Sequence, residues 1–170
     1  LNSHFKKNSL AIIIEDDNLL SKYFYRYMNN SLKKYEMNEK VFQIAGYRYP
    51  IGDNRKNYAE FYPLGIGWGW ATYKRSWENM IFDKNLIKEK IYSNFKLKMI
   101  FTMFGFNNYT KILNNAINDH NKGVDICWTA SILLNNAYTL IPPTSLTKNI
   151  GHDNSGINSK KTSIWDTKIT

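Results

Sequence analysis

The sequence predicts an α/β protein, a mixed sheet flanked by helices, and three observations lead to that class. Short apolar runs rich in β-branched residues alternate along the chain with longer amphipathic stretches. The hydrophobic content of 43% and aromatic content of 15% are those of a globular protein. No repeat or linker interrupts the 170 residues. We therefore expect one domain over residues 1–158, followed by a polar tail at 159–170.

The first predicted strand lies in "LAIIIEDD", residues 10–17, where five apolar residues run into three acids. Its β-branched residues favour a strand buried on both faces of the sheet. We expect a helix directly after it, because apolar residues recur at three- and four-residue spacing from Leu20 to Tyr35. Asp17 or Asn18 would cap that helix.

The next elements form a strand, a loop and a glycine-rich turn. "KVFQIAGY", residues 40–47, predicts a second strand ending at Gly46, and residues 48–60 predict a polar loop. The stretch "FYPLGIGWGWATYKRSWENM" predicts a short strand and a Gly-rich turn that lead into a helix from about Ala71.

The second half of the chain predicts helices followed by two strands. Residues 84–121 are expected to be helical or irregular, with "NNYTKILNNAIND" the clearest amphipathic piece. Residues 124–137 predict a helix, "YTLIPP" a strand ending at a proline pair, and "SLTKNIGHDNSGINS" a strand running into a polar loop.

Charge and cysteine content narrow the possible partners. The 23 Lys and Arg residues exceed the 14 Asp and Glu residues, for a net charge of +9, so nucleotide phosphates, anionic lipid and nucleic acid all remain candidates. A single cysteine, Cys127, excludes an internal disulfide and a cysteine-based zinc cluster. No apolar run resembles a signal peptide or a membrane span. We expect a cytoplasmic protein, peripheral to the inner face of the membrane at most.

The acids after the first strand are the first candidate site. Glu15, Asp16 and Asp17 would lie at the carboxyl end of a strand, where open α/β sheets bind ligands. Carboxylate oxygens suit Mg²⁺ or Mn²⁺, and such a cation bridges diphosphates. The alternative is that these acids cap the following helix and interact with its dipole.

The segment "GIGWGWA", residues 65–71, is the second candidate. Its glycines would let the backbone approach a ligand closely, while Trp68 and Trp70 offer flat apolar faces that stack on sugar rings. The alternative is an ordinary tight turn with buried tryptophans.

Two more residues have both a functional and a structural interpretation. Asp125 begins a largely apolar helix, where it would act as a general base with a raised pKa or as the N-cap. His152, in "NIGHDNSG", would complete a metal site or lie on the surface without a role. The sequence contains no GxGxxG, P-loop, HExxH or GxSxG motif, which removes several common enzyme classes.

In this order, three segments resemble bacterial GT-A glycosyltransferases of the family-2-like sugar transferase group. These segments are "IIIEDDNLLSKYFYRYMNNSLKKY", "WGWATYKRSW" and "VDICWTASILLNNAYTLIPPTSLTKNIGHDNSG", and the resemblance spans roughly residues 9–158. It implies a GT-A-like fold, of which this chain would be the C-terminal two-thirds, without the N-terminal segment that holds the nucleotide base.

The resemblance also implies roles for individual residues. Asp17 would bind the divalent metal on the donor diphosphate, and Glu15 and Asp16 would line or support the nucleotide-sugar site. Asp125 matches the catalytic base of inverting members, and His152 matches a metal or diphosphate contact.

The implied activity is metal-dependent, inverting transfer of a sugar from a nucleotide-sugar donor of the UDP type. Gly67, Trp68, Gly69 and Trp70 would shape the sugar pocket, with Mn²⁺ or Mg²⁺ as cofactor. The acceptor would be a saccharide or a lipid-linked glycan, in surface polysaccharide or glycoconjugate synthesis. The competing interpretation is a truncated, non-catalytic domain or a basic aromatic module that binds an anionic polymer. Nucleic acid is not expected as a partner, because no RNP-like string or Lys/Arg-rich block is present.

Overall fold

The structure is a computed structural model that describes residues 1–50, 58–119, 123–151 and 167–169. The expected polar tail at 159–170 therefore lies outside the described residues apart from 167–169. The strands are β1 (Leu10–Ile13), β2 (Asn18–Leu20), β3 (Val41–Ala45), β4 (Glu60–Tyr62), β5 (Trp70–Tyr73), β6 (Tyr138–Ile141) and β7 (Thr147–Asn149). The α-helices are α1 (Phe24–Lys34), α2 (Lys74–Glu78), α3 (Lys84–Tyr92), α4 (Phe95–Phe101), α5 (Tyr109–Asn118) and α6 (Val124–Leu134).

Within the described residues, the main sheet has five strands in the order β1-β5-β3-β6-β4. Strand β5 is antiparallel to both β1 and β3, β3 is parallel to β6, and β4 is antiparallel to β6. Strands β1, β3 and β6 therefore point in the same direction. Strands β2 and β7 form a separate antiparallel pair. The predicted α/β class with a mixed sheet is confirmed.

The core lies on both faces of this sheet. Trp70 and its neighbour Ala71 belong to different apolar clusters, because successive residues of a strand point to opposite faces. Helix α1 covers the Ala71 face, and helix α6 with α3, α4 and α5 covers the Trp70 face. Helix α6 has eight buried residues, from Ile126 to Leu133, so it forms the centre of the second layer.

Strand β1 differs from the prediction, because it lies at the edge of the sheet and is not buried on both faces. Leu10 is exposed, and Ile12 and Ile13 are half-buried. The imidazole Nε2 of His4 lies 2.8 Å from the Leu10 carbonyl oxygen. A short β-branched run has the same pattern at the edge of a sheet as at its centre, so the sequence alone does not separate the two.

The predicted first helix is confirmed as α1, but its predicted start directly after the acids is wrong. Asn18, Leu19 and Leu20 form β2, whose register with β7 places Asn18 opposite Asn149. Helix α1 begins only at Phe24, and its N-cap residue makes no side-chain capping bond. Pairing with a strand distant in sequence overrides the local helical spacing.

A third correction concerns Ala71, which was expected near the start of a helix. It lies in β5, which pairs with β1 on one side and β3 on the other, and α2 begins at Lys74. The strand predicted at 40–47, the helix in 124–137 and the two late strands are confirmed as β3, α6, β6 and β7.

Candidate functional site

The carboxyl ends of β1 and β3 meet at the beginning of β5. Ile13 at the end of β1 and Ala45 at the end of β3 are both paired with Trp70. The acidic turn that follows β1 and the glycine-rich loop that precedes β5 consequently lie at one edge of the sheet. In open α/β sheets this is the edge at which ligands bind.

Asp17 is held in place by the beginning of β2 and the end of β7. Its Oδ2 atom accepts a hydrogen bond of 2.9 Å from Asn149 Nδ2, and its Oδ1 atom accepts one of 2.9 Å from Asn18 Nδ2. The Asp17 carbonyl oxygen accepts a bond of 2.9 Å from the Ile150 amide. Asp17 therefore orders a strand pair, and neither it nor Asn18 caps a helix.

Because Gly151 has no side chain, the Asp17 carboxylate can occupy the space beside it. A Cβ atom at this position would lie 2.5 Å from Asp17 Oδ2, closer than van der Waals contact allows. The Gly151 amide also donates a bond of 2.8 Å to Asn149 Oδ1. The Asn-Ile-Gly segment is thus built against Asp17, whereas His152, which the sequence analysis selected, lies outside the described residues.

Glu15 and Asp125 are brought near each other, although they are distant in sequence. Partial burial, followed by the negative charges of Asp125 and Asp17, raises the pKa of Glu15, and a hydrogen bond from Asn18 opposes this. The charge of Asp16 adds the smallest contribution to the raised pKa of Glu15. The negative charges of Asp125 and Asp17 therefore both act on the Glu15 carboxylate.

Asp125 lies in the first turn of α6 but is not its N-cap. The N-cap is Gly123, in the left-handed region at φ 99°, with no side-chain capping bond. Surrounding atoms remove part of the hydration of the Asp125 carboxylate, and this desolvation raises its pKa, while the residue keeps a solvent-exposed surface. The N-cap interpretation of Asp125 is therefore wrong.

The loop before β5 is anchored by buried polar groups. Gln43 in β3 donates a bond of 2.8 Å to the Ile66 carbonyl oxygen and accepts one of 3.0 Å from the Ile66 amide. Thr147 Oγ1 donates a bond of 2.8 Å to the Trp68 carbonyl oxygen. Gly69 has a φ of +69°, and a Cβ atom there would lie 2.7 Å from Thr147 Cγ2. Hydrogen bonds from β3 and β7 therefore hold this loop at the edge of the sheet.

The two tryptophans of the loop have different surroundings. Trp70 is only 9% exposed and stacks on Trp128 with ring centroids 5.4 Å apart. The alternative of a buried, structural tryptophan is therefore correct for Trp70. Trp68 is half-buried and meets Tyr47 edge to face at 4.5 Å, so it keeps accessible ring surface beside the loop. Gly67 is exposed and has open space around the position of a Cβ atom.

A ready-made metal cluster is not present among residues 1–50, 58–119, 123–151 and 167–169, where no three His, Cys, Asp or Glu side chains are grouped to hold an ion. Magnesium and manganese sites on diphosphates need fewer protein ligands than such a cluster, since phosphate oxygens and water complete the coordination of one or two carboxylates. Each Asp17 oxygen keeps a lone pair beyond the bond it accepts. The buried Asn18 Oδ1 atom, on the same turn, has no hydrogen-bond partner. Carboxylate and amide oxygens are the type of ligand that a hard divalent cation prefers.

No protein-family model matches this chain, and no curated protein matches it either. Among the described helices, none combines the length and apolarity needed to cross a membrane.

Proposed function

We propose that this chain is a metal-dependent, inverting glycosyltransferase domain. Its donor would be a nucleotide sugar of the UDP type. Its acceptor would be a saccharide or lipid-linked glycan in cytoplasmic synthesis of a surface polysaccharide or glycoconjugate. The main support is the acidic turn of Glu15 and Asp17, on which the negative charge of Asp125 also acts, beside a glycine-rich loop at the carboxyl ends of β1 and β3.

Asp17 is the residue best suited to hold Mn²⁺ or Mg²⁺. Its carboxylate is oriented by Asn149 and Asn18, and such orientation of a ligand strengthens metal binding. When bound, the cation supplies positive charge that stabilises the leaving nucleoside diphosphate. His152 remains a proposed additional contact to the metal or the diphosphate.

Asp125 would act as the general base. Its carboxylate oxygen takes the proton of an acceptor hydroxyl, whose oxygen forms the new bond to the anomeric carbon of the donor. The bond from that carbon to the diphosphate oxygen breaks, and its electron pair leaves with the nucleoside diphosphate. The raised pKa of Asp125 makes it a stronger base than an ordinary aspartate.

The loop before β5 would border the donor sugar. Its backbone is held by Gln43 and Thr147, so the glycines would present a preformed surface. Trp68 has ring surface available for a sugar, while Trp70 would support the loop from the core. Glu15 and Asp16 would line or support the nucleotide-sugar site.

The test combines ligand-dependent melting temperatures with a transfer assay. We expect UDP-sugars with Mn²⁺ to raise the melting temperature of the unaltered chain. Asp17→Ala should abolish the metal-dependent shift, and Asp125→Asn should keep the shift but stop transfer. Glu36→Gln, at an exposed acid beyond the end of α1, is the control and should behave as the unaltered chain.

Two outcomes would overturn the proposal. One is transfer that needs no metal and survives both substitutions. The other is salt-sensitive binding of oligonucleotides without any response to UDP and Mn²⁺, which would support the non-catalytic anionic-polymer module instead.

A further inference from the structure

Helix α4 and the turn after it expose three phenylalanines within twelve residues. Phe95 is 78% exposed, Phe104 is 68% exposed and Phe106 is 92% exposed. By contrast Phe101, at the end of the same helix, is fully buried and attaches α4 to the core. Exposed aromatic side chains at this density are typical of an interaction surface.

Two of these phenylalanines belong to a turn with a defined and unfavourable backbone. Met103 and Phe104 have φ angles of 48° and 57°, in the left-handed region that bulky side chains avoid. Backbone hydrogen bonds hold the turn, from Gly105 to the Thr102 carbonyl oxygen at 3.0 Å and from Asn107 to the same oxygen at 3.2 Å. The exposure of Phe104 is therefore built into an ordered turn.

An open groove of about 430 Å³ lies between the helix and this turn. Its lining residues are Phe95, Lys96, Met99, Ile100 and Phe104, and its accessible wall is apolar. Aliphatic and aromatic carbon without hydrogen-bonding atoms is suited to contact hydrocarbon.

Helix α4 carries two exposed lysines, Lys96 and Lys98, in a basic segment of the chain. Residues 84–118 contain six lysines and one glutamate, a net charge of +5 for the segment. The Lys98 and Lys88 ammonium groups lie 5.0 Å and 5.8 Å from the centre of the Tyr92 ring, and Lys96 borders the groove itself. A partner is therefore expected to combine negative charge with an apolar interior.

We propose that the α4 face, defined as Phe95, Lys96, Lys98, Met99 and Phe104 with the adjoining Phe106, docks on an anionic lipid bilayer. The phenylalanines would insert at the level of the acyl chains, and the lysines would contact the anionic headgroups. A bilayer of this kind therefore matches both the apolar side chains and the positive charge of the surface. A second copy of the chain would bring like charge against like charge. A nucleic acid would find few donors in the groove to pair with its bases. This inference is independent of the proposed glycosyltransferase activity.

The test is flotation of the 170-residue chain with vesicles of phosphatidylglycerol and phosphatidylcholine, compared with pure phosphatidylcholine. We expect binding to the anionic vesicles that weakens with added salt. The double substitution Lys96→Glu and Lys98→Glu should weaken it at least about 25-fold, since each lysine near the surface contributes about fivefold. The same reversal at Lys33 and Lys34 is the charge control, since both are exposed on α1.

The apolar part of the surface has a matched pair of variants. Phe106→Ser and Met37→Ser both remove a side chain that is 92% exposed, and we expect only the first to weaken vesicle binding, by about tenfold. Phe104→Asn keeps a residue that tolerates the left-handed region and should also weaken binding. Melting temperatures of all variants should equal that of the unaltered chain within a few degrees.

Three results would overturn this inference. They are no binding to anionic vesicles, equal loss of binding in the α4 and control variants, or oligonucleotide binding that is lost in the same α4 variants without vesicle binding. The last result would assign the surface to nucleic acid.

Discussion

The side-chain amide of Asn149 donates a hydrogen bond of 2.9 Å to the Asp17 carboxylate and so joins two strand ends that are 132 residues apart. This bond fixes the orientation of the acid that we propose as the metal ligand. It also explains why the acidic turn continues into a strand instead of a helix, since Asn18 and Asn149 are paired in the register of β2 and β7.

Asn149→Ala should weaken Mn²⁺ binding about 10–100-fold, the usual effect of removing a group that orients a metal ligand. The measurement is a titration of Mn²⁺ in the presence of UDP, followed by the melting temperature. Asn29→Ala, at an exposed asparagine of α1 that bonds only locally, is the control. Equal Mn²⁺ affinity in the Asn149 and Asn29 variants would show that Asp17 does not depend on this bond.

Gly151→Ala should reduce metal binding and lower the melting temperature, because the new Cβ atom would lie 2.5 Å from Asp17 Oδ2 and displace the carboxylate. Gly67→Ala is the matched control, since no atom lies within 4 Å of its added Cβ. We expect this control to leave the free energy of unfolding unchanged or raise it by about 0.4–1 kcal/mol. If Gly151→Ala behaves like Gly67→Ala, Gly151 is not needed for the position of Asp17.

The raised pKa of Asp125 should make the free energy of unfolding depend on pH. Its pKa is raised by desolvation above the ordinary value of 3.8, so the folded state holds this proton more tightly than the unfolded state. The free energy of unfolding should therefore fall as pH rises from near 3.8 to the raised pKa, and then stay lower.

Asp125→Asn removes the loss of stability that ionisation of this desolvated carboxylate causes. The variant should melt above the unaltered chain at neutral pH, and the difference should vanish below the ordinary pKa. Melting curves across this pH range check the sign, and a variant that is less stable than the unaltered chain at neutral pH would contradict it. Glu36→Gln again serves as the control.

Gln43→Met should destabilise the fold and loosen the loop before β5. Methionine has a similar volume, but it leaves the Ile66 amide and carbonyl and the Thr139 hydroxyl without the bonds that Gln43 makes. Unsatisfied buried groups of this kind cost about 2–4 kcal/mol in total. Chemical denaturation measures the loss, and a change below about 0.5 kcal/mol would show that the apolar side chain compensates.

Much of the fold could be predicted from local pattern. The run at 40–47 contains β3, whose residues Val41–Ala45 are all buried, and the apolar stretch from 124 forms the buried helix α6, because largely apolar segments have to be covered wherever they lie. The choice of Glu15, Asp17 and Asp125 as candidates also needed only the sequence, since three adjacent acids after an apolar run and an acid opening an apolar helix are visible locally.

The errors arose where a distant segment determined the local structure. Leu20 has helical spacing with the residues that follow it, yet it lies in β2 because Thr147 pairs with it across the small sheet. Ala71 lies in β5 for the same reason, since β1 and β3 both pair with that strand. Local propensity amounts to tenths of a kcal/mol per residue, which strand pairing and burial exceed.

The sequence by itself thus determined the class of the protein, its buried strand and helix, and the carboxylates to consider. Only the tertiary structure decided that the charges of Asp125 and Asp17 act on Glu15, that Asn149 and Gly151 shape the position of Asp17, and that Trp70 belongs to the core. The physical reason is that hydrogen bonds and charge interactions act through space. Residues more than a hundred positions apart become neighbours only after strands β1, β2 and β7 are in place.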